Sequence, residues 1–444
     1  MPRRKKEEQP REPIKTIKTP PVVKGMKDVL PNDAKHWNFV ENQVRRLISD
    51  YSYHRMETPL LEKFELFNHS LFRQNNVLEK EAFVFTDRGE KLCLRPEASA
   101  SIARAFIDHN MSASQMPLKV YTWGSMFRQG KIETNKLRQF SQVDFEIVGD
   151  ESAAIDGELV IMAHFLMKNL GINGQVKLNS VGCTLCRPEY KKVLAEYLKS
   201  KRAAIPADLR KLITKDPLKV FQCNSQRCVK AFEDAPQTVD FLCDDCRNHL
   251  FKVLEYLDEV KVEYTLDPTL SRTFDYYTKT IFEITTPPQE GRETIVLAGG
   301  GRCDNLIEML GGESTPMSGF SFGIERLVSE IRHQQVELPA KKGPDVFVAQ
   351  LSEQARQKAF TFFEALRAEN FSVKANFSKG ALKSQLDLAR KCKAKIILIL
   401  GQKEVTEGTI IIREEDSGIQ EVISLSNVVP EVKKRLKEIY KKKK

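Results

Sequence analysis

The stretch LCLRPEASASIARAFIDHN (Leu92–Asn110) and the stretch VYTWGSMFRQGKIETNKLRQFSQVDFEIVG (Val120–Gly149) decide the fold that the sequence predicts. Leu92–Leu94 reads as a short apolar strand, and Pro96 stops regular pairing because proline has no N–H to donate. Residues 99–107 carry apolar side chains at helical spacing, after small polar residues that suit an N-cap. A strand that passes through a short turn into a helix is therefore expected.

The second stretch predicts two antiparallel strands joined by a polar loop. An aromatic strand begins at Val120–Trp123, and the chain returns from Arg138 to Glu146 with alternating apolar and polar residues, the pattern of a half-buried strand. Such a pair would present Arg128, Arg138, Gln142 and Glu146 on one floor. Arginine suits phosphate oxygens because its planar guanidinium offers two parallel donors.

These stretches and four further motifs resemble the histidyl-tRNA synthetase family of class II aminoacyl-tRNA synthetases. LRPE, MFR, RQFSQ and FEIVG resemble motif 2 of the class, and RTFDYYTKTIFE (Arg272–Glu283) resembles the signature of that one family. AGGGRCDNLIEMLGG (Ala298–Gly312) and GFSFGIERL (Gly319–Leu327) resemble its glycine-rich strand pair and motif 3. GMKDVLP (Gly25–Pro31) resembles its N-terminal segment. The motifs fall in the family's order, and the likeness runs from about residue 24 to about residue 429.

The resemblance implies an α/β protein whose α+β catalytic domain holds an antiparallel sheet flanked by helices. It also implies a helical insertion and a smaller C-terminal α/β domain that binds the anticodon. Alternating strands and helices beyond residue 345 independently predict a small α/β domain with a largely parallel sheet. The expected boundaries are 1–21 for a disordered basic and proline-rich arm, 22–335 for the catalytic domain with a cysteine-containing insertion at about 175–262, 336–344 for a linker, 345–432 for the anticodon-binding domain and 433–444 for a basic tail.

Composition agrees with a cytoplasmic enzyme. A chain of 444 residues with 41% hydrophobic residues can fill the cores of two or three domains. No apolar run approaches the length of a membrane span, so no membrane partner is expected. Met1–Pro21 is charged and proline-rich, unlike a signal or transit peptide. The net charge of +10 permits a polyanionic partner but does not establish one.

The segment before the first quoted stretch predicts a helix, a strand and a hairpin. Apolar residues at helical spacing mark Trp37–Tyr53, and METPLLEKFELF (Met56–Phe67) reads as strand-like. In the family these two form motif 1, which builds the interface of a homodimer. An amphipathic helix packed on its own core explains the same spacing. Phe83–Asp87 and Lys91–Leu94 predict a hairpin around the turn at residues 88–90.

Three cysteine pairs lie between residues 172 and 264. They are Cys183-x2-Cys186, Cys223-x4-Cys228 and Cys243-x2-Cys246. Pairs at this spacing can bind one tetrahedral zinc through thiolates, whereas a disulfide framework is less expected in a cytosolic protein. A four-cysteine site needs only two of the three pairs. The candidate ligands of structural Zn²⁺ are Cys183, Cys186, Cys243 and Cys246, and the alternative is a remnant of a larger cysteine set.

For ATP, the resemblance implies a site made of basic side chains. Arg128 would hold the α-phosphate and Arg326 the γ-phosphate, with Lys136 and Arg138 on the ATP side of the motif 2 loop and strand. Mg²⁺ would bridge the phosphates. The reaction implied is attack of the histidine carboxylate on the α-phosphate, followed by transfer of the acyl group to tRNA(His). Arg128 and Arg272 are the candidate catalytic residues; a surface ion pair is the alternative for such an arginine.

For L-histidine, the resemblance implies a pocket that satisfies an imidazole, an ammonium and a carboxylate group. Glu146 would accept an imidazole N–H, and Tyr277 would bond to the other side of the ring. Arg272 would bridge the carboxylate and the α-phosphate. The full candidate set is Glu97, Ala98, Ser99, Arg128, Gln142, Glu146, Arg272, Tyr276 and Tyr277. A pair of core tyrosines is the alternative at residues 276–277.

Several positions depart from the family's pattern. Thr273 replaces a glycine of the signature, and Cys303 replaces the tyrosine of GGRYD. Gly130 stands where a glutamate would meet adenine, and Lys136 where an arginine would lie, so a bidentate fork is lost. Ala98-Ser99 replaces Gly-Thr but keeps the hydroxyl. Such changes leave open a non-catalytic paralogue that binds histidine or tRNA in a regulatory role; the retained C-terminal domain and the three arginines 128, 272 and 326 favour the synthetase.

Overall fold

The computed structural model describes residues 18–68, 81–130, 136–223, 225–272, 276–340, 342–378 and 380–442. The chain divides into two compact units, the first ending at Leu338 and the second beginning at Pro339. Most of the expected N-terminal arm, together with Thr273, lies outside the described residues. Among the described helices none has both the length and the apolar character needed to cross a membrane.

The first unit is built from mixed helices and strands in an α+β order. Its strands are β1 (His54–Arg55), β2 (Leu61–Lys63), β3 (Phe83–Asp87), β4 (Glu90–Leu94), β5 (Leu118–Phe127), β6 (Gln139–Val148), β7 (Gln175–Ser180), β8 (Tyr264–Leu266), β9 (Thr278–Thr285), β10 (Val296–Arg302) and β11 (Met317–Gly323). Its α-helices are α1 (Ala34–Asp50), α2 (Glu65–Asn68), α3 (Ser99–Asp108), α4 (Ala153–Asn169), α5 (Arg187–Ser200), α6 (Leu212–Lys215), α7 (Gln226–Phe232), α8 (Asp244–Glu259), α9 (Leu306–Met309) and α10 (Ile324–His333). Short 3₁₀ turns lie at 111–113, 202–204, 217–222 and 238–241.

The central sheet has eight strands in the order β1-β5-β6-β11-β10-β9-β7-β8. Pairing is antiparallel from β5 through β7 and parallel only at the two edge pairs, β1 with β5 and β7 with β8. The predicted strand pair is confirmed and is longer than predicted: β5 and β6 pair along ten residues each, with Gly124 opposite Gln142 and Val120 opposite Glu146. The antiparallel sheet expected for the catalytic domain is therefore present.

Strand β6 is buried on both of its faces. Val143, Phe145 and Ile147 are fully buried in the apolar core that the sheet shares with α1, α4 and α10. Phe145 stacks on Phe320 of β11, with ring centroids 5.1 Å apart. Since successive side chains of a strand point to opposite faces, the polar residues at positions 142, 144 and 146 share the other face. They are also buried, at 7%, 2% and 3% exposure, so the alternation separates an apolar core from a buried polar face.

Glycines let strands β10 and β11 approach each other closely. A Cβ on Gly300 would lie 2.0 Å from the carbonyl oxygen of Gly319, and a Cβ on Gly319 would lie 1.9 Å from Oε2 of Glu146. A Cβ on Gly299 would lie 2.6 Å from Nη1 of Arg272. Any other residue at these positions would collide with backbone or with a charged side chain. The glycine-rich motif therefore makes a floor of bare backbone.

The helices between β7 and β8 form the insertion, which has its own small core around Tyr190, Leu194 and Val220. Strand β7 itself pairs with β9 in the central sheet, so the helices start only after residue 180. A buried ionic network joins helix α8 of the insertion to the central unit. Asp156 of α4 lies 2.7 Å from the His249 imidazole and 2.8 Å from the guanidinium of Arg302, which is fully buried.

The strand-like segment at residues 56–67 forms less strand than predicted. Only Leu61–Lys63 is a strand, paired with β4, and residues 65–68 turn into a helix. Pro59 explains the late start, because proline cannot donate to a neighbouring strand. With the hairpin β3–β4, which is confirmed, β2 completes a three-stranded sheet in the order β2-β4-β3.

The second unit is a small α/β domain, as predicted. Its strands are β12 (Val346–Gln350), β13 (Val373–Ala375), β14 (Ile396–Leu400), β15 (Thr409–Glu414) and β16 (Gln420–Ser424). Its helices are α11 (Glu353–Ala368), α12 (Leu382–Lys391), α13 (Gln402–Glu407) and α14 (Val428–Lys442), with a 3₁₀ turn at 425–427. The strand order is β13-β12-β14-β15-β16, parallel among the first three and antiparallel among the last three. The expected basic tail is helical as far as Lys442.

Candidate active site

A cavity of about 710 Å³ opens over the polar face of the central sheet in the first unit. Its walls come from β6, β9, β10 and β11, from the turn before α3, and from the loop between β5 and β6. Most of the predicted site residues line it although they are far apart in the sequence. They are Glu97, Ser99, Arg128, Lys136, Gln142, Arg272, Tyr276, Tyr277 and Arg326.

Three predicted site residues lie outside the cavity lining. Ala98 is fully buried in the apolar cluster beneath the start of α3. Glu146 is buried just below the pocket, where its Oε1 accepts a hydrogen bond from the Ser99 hydroxyl. Arg138 packs its side chain on Gly25, and its N–H donates to the Gly25 carbonyl at 2.7 Å. Arg138 therefore holds the N-terminal segment in place.

Arg272 is held from two sides at the centre of the cavity. Its Nη1 donates to Oε1 of Glu283 at 2.6 Å, and its guanidinium carbon lies 5.4 Å from the centre of the Tyr277 ring. Burial alone would lower the pKa of Arg272, but the Tyr277 and Glu283 oxygens outweigh it and raise the pKa above its ordinary value. The guanidinium stays charged and is fixed in direction.

Two further arginines face the same cavity. Arg128 donates from Nε to the carbonyl oxygen of Pro96 at 3.0 Å and lies over the Phe140 ring at 5.3 Å. Arg326 donates from Nη1 to the carbonyl oxygen of Val296 at 2.9 Å. Burial, with the nearby positive charge of Arg128, lowers the pKa of Arg326. Three guanidinium groups that repel one another across a cavity create a field that an anionic ligand would neutralise.

Buried carboxylates belong to the same cavity: Glu97 and Asp144 line it, and Glu146 lies just below it. Glu97 accepts N–H groups from Ser99 at 2.7 Å and Ala100 at 3.1 Å, and so binds the start of α3. Burial nevertheless raises the pKa of Glu97. Burial likewise raises the pKa of Glu146 well above its ordinary value, against the hydrogen bond from Ser99. Among the described residues, Oε2 of Glu146 has no hydrogen-bond partner.

Asp144 belongs to this carboxylate group although the sequence reasoning did not select it. It is 2% exposed, and its Oδ1 accepts from the Gln142 amide at 2.6 Å, while Oδ2 has no partner in the described part of the chain. Burial raises its pKa to about 7. The available signal was spacing: Gln142, Asp144 and Glu146 are two residues apart on one strand and so share a face.

Three further glutamates that line the cavity were also missed: Glu81, Glu283 and Glu325. Glu283, which binds Arg272, is the last residue of the family signature quoted above. Glu81 lies beside Gly130, where a Cβ would be 3.7 Å from Oε1 of Glu81. A carboxylate from a separate segment therefore lies close to the position at which the motif 2 loop lacks its glutamate. No local pattern marks Glu81, because the contact depends on the path of the chain.

The cysteine predictions separate into two outcomes. Cys223 and Cys228, the pair not chosen as zinc ligands, form a disulfide although a disulfide framework was less expected, because the turn before α7 brings the two sulfurs together. The other two pairs come together as a cluster of four thiols. Cys303 is buried in the same apolar cluster as Tyr276. Burial raises the pKa of its thiol well above the ordinary value, so the thiol is neutral.

The antiparallel sheet, the closely packed glycine strands and the cavity lined by three arginines fit the class II aminoacyl-tRNA synthetases. The sequence model of histidyl-tRNA synthetase matches residues 25–327, and that of the anticodon binding domain matches residues 345–435. The chain belongs to the histidyl-tRNA synthetase family.

Individual relatives cover nearly the whole chain. It is 38% identical over 408 residues to the histidine–tRNA ligase of Syntrophotalea carbinolica, covering 91% of this chain and 96% of that protein. It is 36% identical over 412 residues to the histidine–tRNA ligase of Caldanaerobacter subterraneus, covering 92% and 98%. The crystal structure of apo S. aureus histidyl-tRNA synthetase superposes with a TM-score of 0.76 at 30% identity, covering 94% of this chain and all of that one.

Replacing Asp144 by Asn tests the buried carboxylate through stability. The folded pKa of about 7 exceeds the ordinary 3.8, so between these values the folded protein binds more protons than the unfolded chain, and the free energy of unfolding falls as pH rises. Asp144→Asn has no titrating group at this position, so it does not lose this part of the free energy of unfolding as pH rises. Its Tm should match the wild type near pH 4 and exceed it by a growing margin up to about pH 8.

Thermal unfolding across this pH range provides the measurement. Asp50→Asn, an exposed carboxylate on α1, serves as the control and should show no such trend. A Tm difference for Asp144→Asn that stays constant with pH would contradict the raised pKa.

Proposed function

We propose that this protein attaches L-histidine to tRNA(His) in two steps, with histidyl-adenylate as the intermediate. The observation that carries the proposal is the mixed charge of one cavity, which is lined by Arg128, Arg272 and Arg326 and also by the buried carboxylates of Glu97 and Asp144. A ligand with an ammonium group and phosphates matches this mixture of charges. Histidine and ATP bound side by side are such a ligand pair.

The buried carboxylates and the groups beside them would select histidine. Oε2 of Glu146, buried and without a partner among the described residues, can accept an imidazole N–H, and the Tyr277 hydroxyl can bond to the other side of the ring. Glu97, Asp144 and Gln142 can receive the α-ammonium group. A buried donor or acceptor left unpaired costs about 1–3 kcal/mol, so an amino acid that lacks the imidazole would bind far less well.

The chemical step needs positioning and charge neutralisation rather than a base. A carboxylate oxygen of histidine attacks the α-phosphorus, the bond to the bridging oxygen breaks, and pyrophosphate leaves with its electron pair. Arg272, which Glu283 holds in place, would bind the histidine carboxylate and an α-phosphate oxygen together. Arg128 would bind the α-phosphate from the other side, and Arg326 the γ-phosphate. Donors fixed in advance stabilise the developing charge most strongly.

Magnesium and adenine also find suitable groups in the cavity. Glu325 and Glu283 line it, and carboxylate oxygens are the hard ligands that magnesium prefers. When bound with ATP, magnesium would supply further neutralisation of the phosphate oxygens. Glu81, beside Gly130, can accept the adenine amino group in place of the glutamate that the motif 2 loop lacks.

The second unit would bind the anticodon of tRNA(His), as its match to the anticodon binding domain suggests. We also propose that the protein acts in the cytoplasm. The synthetase is favoured over a regulatory paralogue because all three arginines line one cavity.

A second copy of the chain would cover the three-stranded sheet β2-β4-β3, whose strand β2 belongs to motif 1. Exposed apolar side chains lie on and beside this sheet: Leu60 at 46%, Leu61 at 42%, Val84 at 39% and Phe85 at 44%. An apolar patch of this kind commonly marks a protein interface. Sedimentation equilibrium should give a dimer, and a monomer at every concentration would contradict the proposal.

Replacing Arg272 tests the chemical step. The wild type should exchange pyrophosphate into ATP when histidine is present and should charge total tRNA. Arg272→Ala should slow the exchange by about 10²–10³, because it removes a donor fixed in the transition state. Arg272→Lys should be nearly as slow, since lysine keeps the positive charge but lacks the two parallel N–H donors of the guanidinium. Transfer from preformed adenylate to tRNA should change much less.

Arg292→Lys is the matched control, because Arg292 also binds a carboxylate, Glu330, but does not line the cavity. It should leave exchange unchanged. Exchange by Arg272→Ala within about tenfold of the wild type would contradict the assigned role. A wild type with neither exchange nor charging would favour the regulatory paralogue.

Replacing Glu146 by Gln tests the choice of amino acid. The change keeps the shape but weakens the acceptor for the imidazole N–H, so the KM for histidine should rise about 100-fold or more. The KM for ATP should change little. Glu330→Gln, a buried carboxylate outside the cavity lining, is the control. An unchanged KM for histidine in steady-state exchange would show that Glu146 is structural only.

A further inference from the structure

Four cysteines from the two ends of the insertion meet in one cluster. Cys183 and Cys186 stand just before α5, and Cys243 and Cys246 stand at the start of α8. The sulfur of Cys183 lies 3.7 Å from that of Cys186 and 3.8 Å from that of Cys243, and the sulfurs of Cys186 and Cys246 are 3.8 Å apart. All four sulfurs lie within 4.8 Å of one another.

These separations match the edges of a metal-centred tetrahedron. Four thiolates bound to zinc at about 2.3 Å lie about 3.8 Å from one another, the edge length of a tetrahedron of that radius. Bonded sulfurs would lie only about 2.05 Å apart. The cluster is therefore arranged as ligands around a common centre and not as two disulfides.

The surrounding backbone suits negatively charged sulfur. The N–H of Cys183 donates to Sγ of Cys186 at 3.2 Å, and the N–H of Leu185 donates to Sγ of Cys183 at 3.4 Å. Both cysteine pairs also lie at helix N-termini, where the backbone dipoles favour negative charge. The cluster packs against Leu242 and Leu250, which keep part of it dry.

The cluster connects directly to the wall of the candidate histidine pocket. Arg187 follows Cys186 and donates to the carbonyl oxygens of Val181 at 2.9 Å and Gly182 at 3.0 Å, and also to that of Tyr277. Gly182 in turn accepts the N–H of Lys279, two residues beyond Tyr277, at 3.0 Å. Fixing Cys186 therefore fixes the backbone that carries Tyr277.

We propose that Cys183, Cys186, Cys243 and Cys246 bind one structural zinc ion that closes the base of the insertion and holds Tyr277 in position. Four thiolates in a tetrahedral array are the ligand set of structural zinc. The ion would join segments 60 residues apart in the sequence. The effect on Tyr277 rests on the proposed function, whereas binding of the metal does not.

Metal analysis of the full-length protein tests the site itself. The wild type should contain about one zinc per chain, and Cys243→Ser/Cys246→Ser should contain none. Cys223→Ser/Cys228→Ser is the matched control, a cysteine pair in the same insertion but outside the cluster, and should keep its zinc. Cobalt in place of zinc should give the strong absorption of a tetrahedral thiolate site. A wild type without zinc and without this cobalt spectrum would overturn the proposal.

Cys246→His covers the case in which the double variant fails to fold. Imidazole can replace one thiolate as a zinc ligand, so this variant should keep its metal and shift the cobalt bands. Retained metal with an unchanged cobalt spectrum would place the metal elsewhere and overturn the site.

Calorimetric titration with histidine tests the link to Tyr277. Removing the metal ligands by Cys243→Ser/Cys246→Ser should weaken histidine binding, while Cys223→Ser/Cys228→Ser should not. Unchanged affinity in the metal-free protein would overturn the positioning role. A wild type that binds zinc and histidine but performs no exchange would contradict the proposed function and leave the metal site standing.

Discussion

The close approach of strands β10 and β11 is the constraint on which the rest of the site depends. Gly300 meets the Gly319 carbonyl at a distance that excludes any Cβ, and Gly319 leaves the space that Oε2 of Glu146 fills. Gly299 does the same for Arg272. Because the floor has no side chains of its own, charged groups from neighbouring strands can lie across it and face one cavity.

Burial makes several charges in and below the cavity costly. It raises the pKa of Asp144 and Glu146 and lowers that of Arg326, which favours the neutral form of each group. Arg272 is partly buried too, but its pKa is not lowered, because Glu283 and Tyr277 stabilise its charge. Ligand groups of opposite charge would stabilise these buried charges. A preorganised site of this kind also stabilises the charge that develops in the transition state.

Both apolar and polar contacts tie the insertion to the rest of the first unit. Val253 and Leu257 of α8 are fully buried in the core of the central sheet. Arg302 is fully buried between Asp156 and Asp304, and Asp156 also binds His249 of α8. Removing one partner of such a buried pair costs about 3–5 kcal/mol, because the other charge stays buried. Near the same base of the insertion, the cysteine cluster leads through Arg187 to Tyr277. The position of the insertion is thus connected to the cavity wall that carries Tyr277.

The sequence by itself determined the strand pair β5–β6, helix α3, the α/β character of the second unit, the family, and nine of the residues that line the cavity. These follow from local periodicity and from motifs that are continuous in the chain. Only the tertiary structure decided that Glu81 joins the site, that Arg138 holds Gly25, and which two cysteine pairs meet. The physical reason is that spacing specifies the face of one element, whereas contacts between distant segments depend on how the whole chain packs.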